Sequence, residues 1–157
     1  MINFDLVEPG VFVGSSPQSE IDVERLKQLK ITAVINLQSD EDLKVRNIDW
    51  ADLAASYLKH DIVVDRFPIN DFDESDLGSK VAAPIKRLNE LLKVKHKVYV
   101  HCNSGICRAP AAVLGYLCHY QDMTIESGLR QLQIARPVVS PYRRAVEKAL
   151  VELSQDA

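Results

Sequence analysis

The sequence predicts an α/β fold in which helices flank a largely parallel central sheet. Short apolar runs, typical of buried strands, alternate along the chain with longer segments whose apolar residues follow helical spacing. The length of the chain is the second observation that supports this prediction. A chain of 157 residues with 46% hydrophobic residues can fill one core, so we expect a single domain over residues 1–157.

Four segments predict strands because they are short and rich in apolar, β-branched or aromatic residues. They are residues 10–14, 32–37, 62–67 and 97–100. The segment 32–37 is a continuous apolar run without alternation, which is typical of a strand covered on both faces. We therefore expect it near the centre of the sheet.

Six segments have apolar residues at the spacing of a helix. The first follows Ser19, whose spacing to Asp22 matches a capping box, and the second follows Asp49, a residue type that favours helix caps. The remaining helices are expected at residues 81–92, 108–120, 124–135 and 141–153, the last behind Ser140 as its cap. Residues 39–42 and 70–79 are polar and are interpreted as loops.

Composition and charge exclude several functional classes. A net charge of −3 gives no overall attraction for nucleic acid or a membrane surface, so neither is expected as a partner. The first residues lack the pattern of a secretory signal, and the three cysteines have no disulfide-framework spacing. We therefore expect a cytoplasmic protein, with a monomer as the simplest state.

The segment around Cys102 predicts an anion-binding site. It runs from the strand at 97–100 through a short polar loop into the helix that begins at Arg108. Loop amides before a helix N-terminus, together with the helix dipole, can hold a phosphate dianion without a metal. A thiol at the same helix end is favoured as a thiolate, which can attack phosphorus. The expected phosphate-binding residues are Asn103, Ser104, Gly105, Ile106, Cys107 and Arg108.

Two further groups complete the expected chemistry. The planar guanidinium of Arg108 can bind two phosphate oxygens and stay with them in the transition state. A departing alkoxide or phenoxide needs a proton, which a carboxylic acid can supply. Asp71 follows the strand 62–67 and can reach the sheet edge where ligands of open α/β sheets bind. Asp73 is the reserve candidate for the acid, and Asp76 is a weaker one.

The neighbouring residues have supporting roles in this interpretation. His101 is expected to orient the loop through backbone hydrogen bonds, and Phe72 is expected to border the substrate. Cys107 is expected to form a wall of the loop, and a reversible disulfide between Cys107 and Cys102 is a second hypothesis. No cofactor or metal is expected, because a fourth ligand is missing and Arg108 would repel a cation.

The segment HCNSGICR resembles the His-Cys-x5-Arg signature of the protein tyrosine phosphatase superfamily, and the chain length suits its small dual-specificity branch. The resemblance implies a dual-specificity phosphatase-like fold and metal-independent hydrolysis of phosphate monoesters through a phosphocysteine intermediate. It further implies that Cys102 attacks phosphorus and Arg108 binds the phosphoryl oxygens. Asp71 would protonate the leaving group and later activate water.

Other segments resemble the glucan phosphatases, namely laforin and the plant starch-excess enzymes. These segments are LQSDED at 37–42, NDFD at 70–73, RAPA at 108–111 and RP at 136–137. The likeness extends over about residues 10–146, and that branch acts on phosphorylated glucans. Two residues depart from the relatives. Cys107 replaces the usual Gly of this branch, and Ala109 replaces the Ser or Thr of many protein-directed relatives.

Three functions therefore stay open. The leading hypothesis is a dual-specificity or tyrosine-type phosphatase for phosphorylated proteins, and the second is a phosphatase for phosphoglucans or sugar phosphates. The third is a phosphate-recognising module without turnover. A sulfurtransferase of the rhodanese kind also places a cysteine before a helix, but it requires neither the closing Arg108 nor the facing Asp71. The expected partner is a phosphorylated protein or a phosphorylated carbohydrate.

Overall fold

A five-stranded sheet lies at the centre of the computed structural model, which describes residues 1–156. The strands are β1 (Phe4–Glu8), β2 (Val11–Gly14), β3 (Ala33–Asn36), β4 (Val63–Arg66) and β5 (Val98–His101). Their spatial order is β1-β2-β5-β3-β4. Strand β1 is antiparallel to β2, and every other neighbouring pair is parallel. The predicted α/β class with a largely parallel sheet is confirmed.

Four of the five strands coincide with the segments that the sequence predicts as strands, although β5 extends one residue beyond its segment, to His101. Every residue of β2, β3 and β5 is buried, which explains their continuously apolar sequences. β5 occupies the middle of the sheet, with the expected central strand β3 directly beside it. The sequence analysis missed β1, because this edge strand has a single buried residue, Val7, and therefore lacks a strong apolar pattern.

Eight helices occur along residues 1–156, two more than the sequence predicts. They are α1 (Glu20–Gln28), α2 (Asp40–Val45), α3 (Trp50–Lys59), α4 (Glu74–Lys80), α5 (Ala82–Lys93), α6 (Arg108–Tyr120), α7 (Ile125–Ala135) and α8 (Arg143–Gln155). The loop interpretation of 39–42 and 70–79 was wrong. Ser39 and Asp42 form a capping box for α2, and Asp73 caps α4. The polar residues that indicated loops are helix caps and first turns.

The predicted caps have mixed outcomes. Asp49 caps α3 as expected, because its carboxylate accepts a hydrogen bond from the Asp52 amide. The Ser19 side chain makes no cap hydrogen bond at α1. Ser140 does not cap the last helix, which begins at Arg143. The amide of Ser140 instead donates to the carbonyl of Ile106, so this segment is attached to the loop after β5.

Helices cover both faces of the sheet, and alternate strand residues face the two layers. In β5, Val98 and Val100 pack in the larger cluster with helices α4 to α8, whereas Tyr99 packs in the smaller one with α1 to α3. None of the helices in residues 1–156 is long and apolar enough to span a bilayer. The two packed layers fix the sheet, and thereby the position of each strand end.

The carboxyl ends of the four parallel strands meet at one edge of the sheet. Gly14 of β2 pairs with His101 of β5, His101 is level with Asn36 of β3, and Asn36 pairs with Arg66 of β4. The chain segments that follow these residues are therefore neighbours, although they are far apart in the sequence. Ligand sites of open α/β sheets lie at such an edge.

The close packing at Gly14 predicts a loss of stability on substitution by alanine. A Cβ atom at this position would lie 2.6 Å from the carbonyl oxygen of Asn3 and 2.7 Å from Cβ of Phe4, so backbone would have to shift. We expect Gly14→Ala to lower the free energy of unfolding by about 1–3 kcal/mol, as for other overpacked core positions. Chemical denaturation measures this difference.

Gly78→Ala is the matched control. A Cβ there would meet only the flexible side chain of Lys148 at 3.3 Å and Ala145 at 3.4 Å. Because alanine also favours the interior of α4, stability should stay the same or rise by up to about 1 kcal/mol. Unchanged stability of Gly14→Ala would show that β1 does not pack against this strand end as described.

Candidate active site

The loop 102–107 connects β5 to α6 and turns its carbonyl groups away from the space above it. The carbonyls of residues 102–106 all accept hydrogen bonds from groups outside the loop. The donors are His101 Nδ1 to Cys102 (3.0 Å), the Ser16 amide to Asn103 (3.0 Å), Arg136 Nη2 to Ser104 (2.8 Å), Arg136 Nε to Gly105 (2.9 Å) and the Ser140 amide to Ile106 (2.6 Å). The opposite side of the loop is thereby left to its amide groups.

The amide groups of the loop are available to bind an anion. Within the described chain, no hydrogen bond uses the amides of residues 103–107 as donors. The loop leads directly into α6, a helix of 13 residues whose N-terminus adds its positive dipole end. Unpaired amides at a helix N-terminus form a site for phosphate, sulfate or a carboxylate.

Glycine is required at position 105 by both conformation and space. Gly105 has a φ of +69°, in the left-handed region that residues with a Cβ atom rarely adopt. A Cβ atom there would lie 2.7 Å from the backbone of Gly14 and 3.0 Å from Arg136 Nη2. The loop therefore packs directly on the end of β2.

Arg136 supports the loop from below and was not among the residues predicted for the site. It is 4% exposed, and besides the two loop carbonyls it donates to Asn3 Oδ1 at 2.6 Å and to Asp5 Oδ2 at 3.0 Å. It thereby connects β1 and the N-terminal residues to the loop. The one sequence feature that points to Arg136 is the Arg-Pro pair at 136–137. This pair contributes to the resemblance to the glucan phosphatases but does not indicate a role for Arg136.

A cavity of about 110 Å³ lies above the loop. Its lining contains most of the predicted site residues: Asp71, Phe72, Cys102, Asn103, Ser104, Ile106, Cys107 and Arg108. His101 and Gly105 lie beneath it, because they support the loop from the side of the sheet. Cys102 is 3% exposed, so its sulfur is accessible chiefly through this opening.

Arg108 is almost completely buried, and its guanidinium is held at one end. Nη1 donates to Asp42 Oδ2 and to the carbonyl of Ile69, both at 2.6 Å, and lies 3.4 Å from the carbonyl of Leu37. Nε and Nη2 have no hydrogen-bond partner among the described residues. The free edge formed by these two atoms belongs to the lining of the cavity.

Asp71 is the one of the three candidate acids that reaches the cavity. Its Oδ1 lies 3.4 Å from Arg108 Nη2, and its Oδ2 accepts a hydrogen bond of 3.3 Å from Asn103 Nδ2. Asp73 is occupied as the cap of α4. Burial acts to raise the pKa of Asp76, but hydrogen bonds from Lys80 and the Asn70 backbone outweigh it and lower this pKa. Neither Asp73 nor Asp76 lines the cavity.

Asp42 is a second carboxylate of the site that the sequence analysis did not identify. Its Oδ1 accepts a hydrogen bond of 2.9 Å from Asn103 Nδ2, and its Oδ2 accepts from Arg108 and from the Ser39 amide. Burial acts to raise the pKa of Asp42, but these hydrogen bonds outweigh it and lower the pKa. The sequence predicts a polar loop at residues 39–42, because nothing local indicates a contact of Asp42 with Arg108.

His101 is fully buried beneath Cys102 and is neutral. Burial is the main cause that lowers its pKa from 6.5 to about 4, and Arg108 acts in the same direction. One ring nitrogen, Nδ1, lies 3.0 Å from the carbonyl of Cys102, which fits an N–H donor. The role of His101 in orienting the loop stays a prediction.

The remaining predicted residues form the walls of the cavity. Phe72 is 88% exposed and has a φ of +57°, so its ring projects from the turn beside Asp71. Cys107 is half-buried, and burial raises the pKa of its thiol. All three cysteines are free, and the disulfide between Cys102 and Cys107 stays a prediction.

The cavity contains no group of metal ligands. Among residues 1–156, the one cluster with suitable spacing consists of Glu20, Glu24 and His60, on α1 and at the end of α3. Lys59 Nζ already pairs with Glu20 Oε1 at 2.7 Å. This cluster shares no residue with the cavity lining.

Comparison with known proteins gives a consistent family. The model of the dual specificity phosphatase catalytic domain matches residues 11–154. The phosphoglucan phosphatase LSF1 of Arabidopsis thaliana, described as chloroplastic, is 30% identical over 145 residues, which cover 88% of this chain and 24% of that protein. The amyloplastic phosphoglucan phosphatase DSP4 of Castanea sativa is 30% identical, covering 97% of this chain and 41% of its own length. The chain thus spans less than half of either relative.

A relative named as a tyrosine-protein phosphatase and two solved structures are also similar to this chain. The tyrosine-protein phosphatase vhp-1 of Caenorhabditis elegans is 27% identical over 136 residues, covering 87% of this chain and 19% of its own length. The crystal structure of Tk-PTP in the active form has a TM-score of 0.78 at 18% identity, over 98% of this chain and 97% of that one. The human tyrosine phosphatase-like serine/threonine/tyrosine-interacting protein has a TM-score of 0.77 at 19% identity, over 98% and 97%. At these identities, the structures establish the fold alone.

The neutral, buried His101 predicts a loss of stability in acid. Between pH 6.5 and about 4 the imidazole is protonated in the unfolded chain but not in the folded one. Stability contributed by His101 is therefore complete above pH 6.5 and falls as the pH decreases to about 4. At about 1.4 kcal/mol per pKa unit, this loss amounts to roughly 3 kcal/mol.

His101→Asn removes the titrating ring and retains a side-chain N–H for the carbonyl of Cys102. The difference in unfolding free energy between wild type and variant should shrink as the pH falls over this range, since other titrating groups contribute equally to both proteins. Denaturant titrations at several pH values measure it. A difference that is independent of pH would contradict a neutral, buried His101.

Proposed function

Because the chain belongs to the dual specificity phosphatase catalytic-domain family, we propose that it hydrolyses phosphate monoesters without a metal, through a covalent intermediate on Cys102. The proposal rests mainly on one observation: the free edge of the buried Arg108 guanidinium and the Cys102 thiol line the same cavity. A phosphoryl group bound by the Arg108 guanidinium would therefore lie next to the Cys102 thiol.

Binding uses two sets of donors. The amides of residues 103–107 surround the phosphoryl oxygens, and Arg108 adds Nε and Nη2 as a bidentate pair. Nη1 is already engaged by Asp42 and Ile69, so the guanidinium does not need to reorient when the substrate enters. Donors that are fixed before the reaction stabilise the charge of the transition state most effectively.

The chemical steps follow from this arrangement. Cys102 begins the loop that leads into α6, and in the proposed mechanism its sulfur attacks phosphorus as the thiolate. The bond between phosphorus and the leaving oxygen breaks, and protonated Asp71 gives its proton to that oxygen. The Asp71 carboxylate then accepts a proton from water as the water attacks phosphorus. This second step releases phosphate and restores the thiolate.

The first candidate substrate is a phosphorylated protein. The similarity to the tyrosine-protein phosphatase vhp-1 and to the mouse dual specificity protein phosphatase 19 supports it. The second candidate is a phosphorylated glucan, which the similarity to LSF1, DSP4 and mouse laforin favours. Release of phosphate from phosphorylated amylopectin, compared with tyrosine and threonine phosphopeptides at equal enzyme concentration, separates the two.

A reducing compartment suits the proposed chemistry. The three cysteines are free, and the nucleophile must stay reduced to act. We place the protein in the cytoplasm on this basis.

Replacement of the nucleophile gives the first test of the proposal. Cys102→Ser should reduce turnover of an aryl phosphate by about 10³-fold or more, because the serine hydroxyl is not ionised by the same environment. Wild-type turnover should be unaffected by EDTA. Cys118→Ser is the matched control, since Cys118 lies outside the cavity and its loss should leave turnover unchanged.

A wild-type protein that binds tungstate but does not turn over any aryl phosphate would instead be a phosphate-recognising module. Turnover that persists in Cys102→Ser would exclude Cys102 as the nucleophile. Turnover is read from a continuous absorbance assay, and tungstate binding is measured separately by isothermal titration calorimetry.

The role of Asp71 is tested by the leaving group. Asp71→Asn should slow substrates with poor leaving groups by about 10²–10⁴-fold and good leaving groups far less, because a good leaving group hardly needs a proton. Asp73→Asn is the control, since asparagine also caps a helix well and Asp73 lies outside the cavity. Equal slowing of both kinds of substrate by Asp71→Asn would assign this residue a structural role.

A further inference from the structure

Two polar side chains, Asp42 and Asn103, connect Arg108 with Asp71 at the cavity. Asp42 contacts Arg108, which binds the phosphoryl group, and also contacts Asn103. Asn103 in turn contacts Asp71, which faces the leaving group. On the basis of the proposed function, we infer that Asp42 is a positioning residue, which orients Arg108 directly and Asp71 through Asn103.

The contact between Asp42 and Arg108 fixes the guanidinium in its plane. Asp42 Oδ2 lies 2.6 Å from Arg108 Nη1, and the two side chains are 11% and 2% exposed. A second acceptor, the carbonyl of Ile69, binds the same nitrogen at 2.6 Å. Because a guanidinium is planar and rigid, acceptors that hold Nη1 also determine where Nε and Nη2 point. A carboxylate holds this end more strongly than a neutral acceptor can.

Asn103 transmits the position of Asp42 to the acid. Its Nδ2 group donates to Asp42 Oδ1 at 2.9 Å and to Asp71 Oδ2 at 3.3 Å. Its Oδ1 accepts from Gln38 Nε2 at 2.8 Å, which requires the amide nitrogen to face the two carboxylates. One side-chain amide thus spans both acids, and Asp42 occupies one of its two N–H groups.

Asp42 does not itself take part in the reaction. It is absent from the lining of the cavity, so it has no access to the phosphoryl group or the leaving oxygen. Its carboxylate is held in place by the capping box of α2, where the Ser39 amide donates to Oδ2 at 2.9 Å. The residue that completes the capping box of α2 would therefore also orient the catalytic groups.

This double role determines the design of the experiment. Asp42→Asn removes the charge from the contact with Arg108 and retains most of the shape of the side chain. Ser39→Ala is the matched control, because it removes the other half of the capping box without touching Arg108. Both variants should lower the melting temperature, so all kinetics are measured well below it.

Two measurements separate positioning from a loss of helix α2. The first is inhibition by tungstate, a phosphate analogue that binds Arg108 but needs no acid. The second is kcat for aryl phosphates with poor and good leaving groups. Asp42→Asn should weaken tungstate inhibition and lower kcat for poor leaving groups by about 10- to 100-fold, as expected when reacting groups are displaced. Ser39→Ala should leave both within about threefold of wild type, as expected for a change outside the site.

A double variant tests the path through Asn103. In an Asp71→Asn background, Asp42→Asn should cost less kcat on poor leaving groups than it does alone, because the acid it orients is already absent. The loss of tungstate affinity should persist in full. Losses on poor leaving groups that add independently would contradict the effect on Asp71.

Other outcomes would overturn the inference or the proposed function separately. Equal losses in Ser39→Ala and Asp42→Asn would show that Asp42 acts only through α2. If Asp42→Asn does not fold, Asp42→Glu keeps the charge and the capping box but moves the carboxylate, and wild-type tungstate affinity and kcat in it would overturn the inference. Absence of turnover in wild type would defeat the proposed function, while tungstate affinity measured directly by isothermal titration calorimetry would still test the contact with Arg108.

Discussion

A single buried cation, the guanidinium of Arg108, brings the separate segments of the site together. At 2% exposure its charge requires compensation from within the protein. The acceptors come from the segment after β3, which supplies Asp42, and from the segment after β4, which supplies the carbonyl of Ile69. These segments meet because their strands end at the same edge of the sheet. On the opposite edge Nε and Nη2 make no hydrogen bond, and Asp71 Oδ1 lies 3.4 Å from Nη2; the proposed phosphoryl group would bind at this edge.

A second buried arginine gives the loop its polarity. Arg136 lies on the opposite side from the cavity and binds the carbonyls of Ser104 and Gly105. Because Arg136 binds these carbonyls on one side of the loop, the loop amides on the other side remain available for an anion. The two arginines thus have complementary functions: Arg136 neutralises the acceptors of the loop, and Arg108 adds to its donors. The attachment of Arg136 to Asn3 and Asp5 makes β1 part of the support of the site.

The sequence allowed the local features to be predicted and concealed those that depend on distant contacts. The parallel strands, six of the helices and the loop before Arg108 follow from apolar periodicity and residue order, which are local. Asp42 and Arg136 could not be assigned in this way, because their partners are 66 and 131 positions away in the sequence. Helices α2 and α4 were missed because polar caps dominate such short helices, and each helix buries few apolar residues.

The same contacts are compatible with either candidate substrate of the proposed reaction. In the proposed mechanism, the hydrogen-bond donors to the phosphoryl group and the attacking sulfur would contact only atoms common to all phosphate monoesters. Discrimination must therefore come from residues that contact the leaving group. Of the cavity lining, Phe72 at 88% exposure and Ile106 at 40% project furthest into solvent. A ring such as that of Phe72 can pack on a phenol or on a sugar face. If the proposed function holds, we expect selection between proteins and glucans to be set at this rim, while the buried arginines stay unchanged beneath it.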